Sequence, residues 1–146
     1  MKVDRVYAYA PEGTTPRLVQ AGVARVPAGF PSPSQDYSDT QIDLTEMLIR
    51  DELATFIVRV SGDSMEGAGI FDGDELIVDR SIEPEDGHIV VAVLDNEMTV
   101  KRLHVTPTDV ILQAENADYP DVSVPELSDL LIWGVVTTCL HHLLHR

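Results

Sequence analysis

The stretch TFIVRVSGDSMEGAGIFDGDELIVD, residues 55–79, decides the fold of this chain. It contains two runs rich in β-branched residues, TFIVRV and ELIVD, separated by a loop rich in glycine and aspartate. In the first run Phe56, Val58 and Val60 occupy every second position, so one face of a strand can be buried. The stretch therefore predicts two strands joined by a glycine-rich loop.

The residues after this stretch repeat the β pattern. HIVVAVL, MTVKRL, DVILQA and IWGVVTTCL are short β-rich runs, and turn sequences such as Asp72-Gly73-Asp74 and Glu85-Asp86-Gly87 separate strands of this kind. We therefore expect a mainly β protein, with a compact domain of short antiparallel strands at residues 42–146.

The first part of the chain, residues 1–41, has a different composition. Prolines and glycines recur through it at a density that breaks regular elements, which indicates an extended N-terminal arm. The arm is too short to carry a DNA-reading helix-turn-helix. Asp43 and Glu46 then have the spacing of a capping box, and they predict one short helix that ends near Leu53 or Ala54.

Composition limits the class of protein. The 146 residues fit one domain with a real core, and 25 acidic against 10 basic side chains give a net charge of −15. Such a surface repels phosphate backbones, so direct DNA binding is not expected. The absence of a long apolar run predicts no membrane span, and we expect a cytoplasmic protein. The single cysteine, Cys139, excludes an internal disulfide and is interpreted as a small buried hydrophobe.

One lysine stands out because the chain otherwise uses arginine for its positive charges. The chain has only two lysines, Lys2 and Lys101, and Lys101 lies within the strand-like run TVKRL. A desolvated lysine can lose its proton and act as a base, whereas arginine cannot. Ser64, in the glycine-rich loop, is a candidate nucleophile for that base. Each residue considered alone also has a non-catalytic interpretation. Ser64 fits a serine in a glycine-rich surface loop, and Lys101 fits a surface lysine whose charge is solvated.

The motifs taken together resemble the LexA/UmuD family of self-cleaving serine peptidases. The shared pattern comprises FPSP…DY, IDL, SGDSM, GI.DGD..IVD, TVK and the late GVV, and it extends from about Gly29 to the C-terminus. Within this family the chain is similar to the UmuD branch, because its arm lacks a LexA-type DNA-binding domain. The resemblance implies a compact β domain with one catalytic serine and one catalytic lysine.

Specific catalytic roles follow from the resemblance. Ser64 is expected to be the nucleophile, and Lys101, as the neutral amine, its general base. The backbone amide of Ser64 is expected to stabilise the tetrahedral oxyanion, with Met65 lining the site. No cofactor is expected.

The resemblance also implies a cut within the arm, between a small residue and a glycine. Ala28–Gly29 is the predicted bond, because GFPSPSQDY follows it. Ala21–Gly22 is the alternative, since LVQ precedes it. A small residue and a glycine allow an extended arm to enter a tight groove and bend there.

The partners implied by the resemblance belong to the response to DNA damage. We expect a homodimer whose cleavage is stimulated by a RecA filament on single-stranded DNA. The processed form, Gly29–Arg146, is then expected to act with a UmuC-like translesion polymerase in SOS mutagenesis. The alternative is a non-catalytic adaptor for the polymerase or RecA in which the Ser64–Lys101 dyad is vestigial.

Two clusters contain residue types that bind metals. His141 and His145 are four residues apart, a spacing that zinc can use, but no carboxylate or cysteine accompanies them in a motif, which favours a solvated tail. The aspartates of DGDELIVD lack the loop pattern of a calcium site and favour a turn. Trp133 and Tyr119 are interpreted as core or interface residues.

Overall fold

The computed structural model describes residues 1–9, 18–20, 41–124 and 130–144. The predicted mainly β fold is confirmed, because the described residues form ten strands and one short helix. In chain order these are β1 (Lys2–Ala8), β2 (Leu18–Gln20), β3 (Gln41–Asp43), α1 (Leu44–Leu48), β4 (Thr55–Ser61), β5 (Glu75–Asp79), β6 (Ile89–Leu94), β7 (Glu97–Val105), β8 (Val110–Gln113), β9 (Val122–Val124) and β10 (Leu130–Leu140). A 3-10 turn, Glu66–Ala68, follows β4. No helix within these ranges is long and apolar enough to cross a membrane.

The main sheet is antiparallel throughout and has the strand order β1-β4-β5-β10-β6-β7-β8-β9. A further pairing of β1 with β7 closes six of these strands into a barrel. At this closure Lys2 lies opposite both Ser61 of β4 and Thr99 of β7. Strands β2 and β3 pair with each other and, with α1, belong to a second compact unit of the chain.

Two clusters of buried apolar side chains form the core that packs against the main sheet. The larger one joins residues of β4, β5, β6 and β7 with residues of the glycine-rich loop, namely Met1, Val58, Val60, Met65, Ile70, Leu76, Val78, Val91 and Val100. The smaller one lies between β6, β7, β8 and β10 and contains Val90, Ala92, Leu103, Leu112 and Val135. The alternation expected in TFIVRV is confirmed at Val58 and Val60, which are completely buried, whereas Phe56 is only partly buried and Thr55 is buried instead.

The turn between β6 and β7 fixes the strand that carries Lys101. Asp95 and Asn96 have φ values of 52° and 66°, which correspond to the left-handed conformations of a two-residue hairpin turn. Aspartate and asparagine tolerate this conformation better than other residues with side chains. The resulting register places Lys101 opposite Val90.

Two local expectations differ from the structure. Strand β1 lies within the part of the chain that we expected to be irregular. The proline- and glycine-rich sequence begins only after it, and β1 gains its strand conformation from pairing with β4 and β7. The predicted helix end near Leu53 is also wrong. Helix α1 ends at Leu48 because Ile49 is already extended, with φ −119° and ψ 111°.

A buried carboxylate, Asp74, ties the start of β5 to the end of β10. It is 2 % exposed and accepts hydrogen bonds from the Phe71 amide at 2.8 Å, the Cys139 thiol at 3.2 Å and His141 Nδ1 at 2.6 Å. Burial raises the pKa of the Asp74 carboxyl, but these hydrogen bonds outweigh burial and hold the pKa below its usual 3.8. The carboxylate therefore contributes stability above the ordinary pKa of aspartate, and this stability is lost as pH falls through the lower native value.

Replacement of Asp74 by asparagine is expected to lower the free energy of unfolding at pH 7 by about 2–3 kcal/mol, because an amide cannot accept all three hydrogen bonds. Urea unfolding at pH 7 and at pH 3 measures the effect. The difference between the variant and the native chain should shrink at pH 3, because the carboxyl group of the unfolded chain is largely protonated below 3.8 and the stability that the native carboxylate contributes then falls with pH. Asp121→Asn, at an exposed position, is the matched control, and an equal effect of both substitutions would contradict this role of Asp74.

Candidate active site

Ser64 lies in the loop that connects β4 to β5, and it is 2 % exposed. The loop turns at Gly62, whose φ of 100° suits glycine and whose amide donates to the Asp72 carboxylate at 2.9 Å. Met65, which follows the serine, is completely buried in the larger core cluster. The serine is thus held between a fixed turn and a buried anchor, which restricts the position of its hydroxyl.

A second loop, Ala114–Tyr119, holds the serine loop from the outside. The Glu115 amide donates to the Ser64 carbonyl at 2.9 Å, and the Gly67 amide donates to the Glu115 carbonyl at 2.7 Å. The side-chain amide of Asn116 donates to the Asp63 carbonyl at 2.9 Å. These bonds connect three positions of the serine loop, Asp63, Ser64 and Gly67, to one short segment after β8, so the two loops form one structural piece.

Tyr119 connects this piece to Lys101. Its hydroxyl donates to the Asp63 carboxylate, and this hydrogen bond raises the pKa of Tyr119. The Lys101 Nζ lies 5.7 Å from the centroid of the Tyr119 ring. Tyr119 was interpreted from sequence as a core or interface residue, but it is partly exposed beside the candidate catalytic groups. Trp133 fits the core interpretation, since its ring packs edge-on against Phe56 with 5.0 Å between centroids.

The neighbouring arginine anchors the same strand. Arg102 forms an ion pair with Glu115 and donates to the Gly87 carbonyl at 2.7 Å. Because Glu115 also binds the serine loop, Arg102 links β7 to that loop. The strand that carries Lys101 is therefore tied to the segment that carries Ser64.

Met1 lies between the loop that carries Ser64 and the strand that carries Lys101. Its nitrogen donates to the Ser64 hydroxyl at 2.5 Å, and its carbonyl oxygen accepts from the amide of Val100, the residue before Lys101, at 3.0 Å. Burial, and secondly the charge of Lys101, lower the pKa of this amino group from 8.0 to about 5, although the Asp63 carboxylate acts in the opposite direction. The amine is consequently uncharged at neutral pH when it lies against Ser64.

An open cleft of about 700 Å³ adjoins the serine loop. Its walls include Asp63, Gly67, Glu115, Asn116 and Tyr119, which are the residues that join the two loops. Ser64 and Lys101 do not line this cleft, so it borders the serine loop without reaching the two candidate catalytic side chains.

Comparison with known proteins identifies the family. The Peptidase S24-like family model matches residues 19–137. The chain belongs to this family. The S24 match includes both Ser64 and Lys101, and it confirms the resemblance to the LexA/UmuD peptidases inferred from the motifs.

Several relatives have identities well above the level that shows common descent. Protein MucA of Salmonella typhimurium is 46 % identical over 117 residues, which cover 80 % of this chain and 80 % of MucA. Protein SamA of Salmonella typhimurium strain LT2 is 45 % identical over 117 residues, 80 % of this chain and 81 % of SamA. The LexA repressor of Photobacterium profundum is more distant, with 38 % identity over 102 residues that cover 70 % of this chain and 53 % of the repressor.

The remaining residues that the sequence analysis singled out are the candidate cleavage bonds, Cys139 and the histidines near the C-terminus. Both candidate cleavage bonds, Ala28–Gly29 and Ala21–Gly22, lie outside the described residues. Cys139 is half-buried, and burial together with the Asp74 carboxylate raises the pKa of its thiol to about 12, which suppresses the reactive thiolate. His141 pairs with Asp74, within the fold rather than as a free tail residue.

Replacement of Gly67 by alanine should disrupt the contact between the two loops of the candidate active site. A Cβ at Gly67 would lie 2.6 Å from the backbone oxygen of Glu115, which cannot move as a flexible side chain could. We expect the free energy of unfolding to fall by about 1–3 kcal/mol and any Ser64-dependent reaction to slow. The matched control is Gly69→Ala, where nothing lies within 4 Å and only the φ of +80° opposes a side chain. Urea unfolding compares the two, and equal reaction rates in both variants would contradict a role for the loop contact.

Proposed function

We propose that this chain is a self-cleaving serine–lysine peptidase of UmuD type, which removes its own N-terminal arm. The main support is the position of Met1, whose nitrogen donates to the Ser64 hydroxyl at 2.5 Å and whose carbonyl oxygen accepts from the Val100 amide at 3.0 Å. Met1 therefore connects Ser64 to the strand position next to Lys101, and the charge of Lys101 lowers the pKa of the same amino group. Membership of a peptidase family supports the same assignment.

In the proposed reaction the neutral amine of Lys101 accepts the proton of the Ser64 hydroxyl as Oγ attacks the carbonyl carbon of Ala28. The new C–O bond converts the carbonyl into a tetrahedral oxyanion, which the Ser64 amide stabilises. The C–N bond to Gly29 then breaks, and the departing nitrogen takes the proton held by Lys101. Water hydrolyses the acyl ester, with Lys101 again as base, which releases the Ala28 carboxylate and restores the Ser64 hydroxyl.

The biological role is proposed from the family resemblance. A homodimer in the cytoplasm is cleaved slowly on its own and faster when a RecA filament on single-stranded DNA binds it. The processed product, Gly29–Arg146, acts with a UmuC-like translesion polymerase in SOS mutagenesis. The 42–46 % identity to MucA, SamA and ImpA supports a UmuD-type role over that of a DNA-binding repressor.

Intact-mass spectrometry after incubation from neutral to strongly alkaline pH tests this proposal. Only an unprotonated amine can accept the hydroxyl proton, so we expect cleavage to accelerate with pH and to leave a fragment that begins at Gly29. A fragment that begins at Gly22 would keep the mechanism and move the cut. A folded chain that stays whole at every pH, even with an activated RecA filament, would support the adaptor with a vestigial dyad.

A further inference from the structure

Met1, the residue that precedes strand β1, covers the candidate nucleophile. Met1 is 8 % exposed, Ser64 is 2 % exposed, and their N and Oγ atoms are 2.5 Å apart. A scissile carbonyl carbon must come within about 3–3.5 Å of the attacking oxygen. The Met1 nitrogen already fills that position, so Met1 and a substrate carbonyl exclude each other.

Backbone and side-chain contacts hold Met1 in this place. Its carbonyl oxygen accepts from the Val100 amide at 3.0 Å and from the Thr99 hydroxyl at 2.8 Å. Its side chain belongs to the larger core cluster together with Val60 and Met65. A segment held by the edge of a neighbouring strand, with one side chain in a pocket, is bound in the manner of an added β-strand.

The remainder of β1 buries little apolar surface. Of its seven residues only Val3 is partly buried, and Val3 packs against the larger core cluster. Its pairing with β4 covers six residue pairs, whereas at the groove its pairing with β7 is one residue pair, Lys2 with Thr99. A strand with few buried apolar contacts opens at lower free energy than the core strands do.

We propose that the groove between Gly62 of the serine loop and Thr99–Val100 of β7 is a strand-binding subsite of the Ser64 centre. Its resident ligand is the chain's own β1, and β1 must leave before the arm can be cut. The slow step of self-cleavage is then the exchange of one extended segment of the chain for another. This consequence for cleavage rests on the proposed function, whereas the occupation of the groove does not.

A thiol placed at the nucleophile position measures this occupation without any catalysis. In a Ser64→Cys chain, β1 should protect the new thiol from iodoacetamide, and peptide mapping separates it from the inert Cys139. Adding Val3→Asp places a charge against the apolar core and should release β1, which raises the alkylation rate by at least about tenfold. Val6→Asp is the matched control, because it adds the same charge to the same strand at a position that is 41 % exposed.

Equal alkylation rates in the Val3→Asp and Val6→Asp chains, with both folded by circular dichroism, would overturn the proposal. If Val3→Asp unfolds the chain, a disulfide bond between β1 and β4 provides the second test, because it can be formed and reduced reversibly. Lys2 and Ser61 are direct cross-strand partners, so Lys2→Cys with Ser61→Cys can join β1 to β4 by a disulfide.

This disulfide should stop cleavage at alkaline pH, and reduction should restore it. Cleavage at equal rates in the oxidised and reduced chains would refute the need for β1 to leave. The two proposals fail in different ways. If no form of the chain is cut, the proposed function fails, while protection of the thiol still decides the occupation of the groove.

Discussion

Replacement of Ser64 by alanine is expected to abolish removal of the arm while the fold remains intact. The hydroxyl oxygen is the only atom that the change removes, and it is the atom that would form the bond to the scissile carbonyl. Loss of a serine nucleophile lowers the rate by at least about 10³-fold, because no other group in the site supplies the same attack. The cost to stability is small. The hydroxyl has one described partner, the Met1 nitrogen, and the loss of one hydrogen bond costs about 1 kcal/mol.

The rate is measured by intact-mass spectrometry during alkaline incubation, and stability by urea unfolding. The matched control is Ser61→Ala at the end of β4, which removes a hydroxyl that donates to Asp4 at 3.1 Å. That variant should cleave at close to the native rate. Continued loss of the arm from purified Ser64→Ala protein would show that the cut does not depend on Ser64, and a contaminating protease would then be the first suspect.

The strands of the barrel could be predicted from local sequence because each has a buried face. The runs that contain Val58, Leu76, Val91 and Val100 show the spacing of apolar residues, and all four residues are completely buried. Strand β1 lacks such a face, since only Val3 of the strand is partly buried. It becomes a strand because two distant segments, β4 and β7, offer their edges, and local sequence does not encode that information.

In the candidate site, too, some residues could be identified from the local sequence, whereas others depend on contacts between distant parts of the chain. Ser64 and Lys101 could be selected from the sequence, because a glycine-rich loop and a rare lysine are recognisable there without a structure. Their catalytic roles stay predictions. The contacts of Glu115, Asn116 and Tyr119 with the serine loop could not be predicted. They arise where the chain returns to the loop after β8, and each depends on the tertiary position of a short irregular segment. From the sequence alone, a polar segment of this kind predicts only a surface loop.

Replacement of Lys101 by arginine is expected to reduce self-cleavage about as strongly as the change at Ser64. Arginine keeps the positive charge near the Tyr119 ring, but its guanidinium does not lose a proton at any accessible pH. The site would retain its nucleophile and lack a base to accept the hydroxyl proton. General-base catalysis contributes about 10²–10⁴-fold to a rate, and a loss in that range is expected at every pH tested.

The shape of the pH profile separates loss of the base from a change of shape in the site. A chain that lacks only correct packing should still cleave faster as pH rises, whereas a chain without the base should show a flat, low rate. Lys101→Met, which also lacks a basic nitrogen but is less bulky than arginine, should give the same flat profile. The chain's only other lysine provides the control, since the Lys2 side chain is exposed and Lys2→Arg preserves its charge. A native, pH-dependent rate in Lys101→Arg would exclude Lys101 as the base, because charge alone would then suffice at this position.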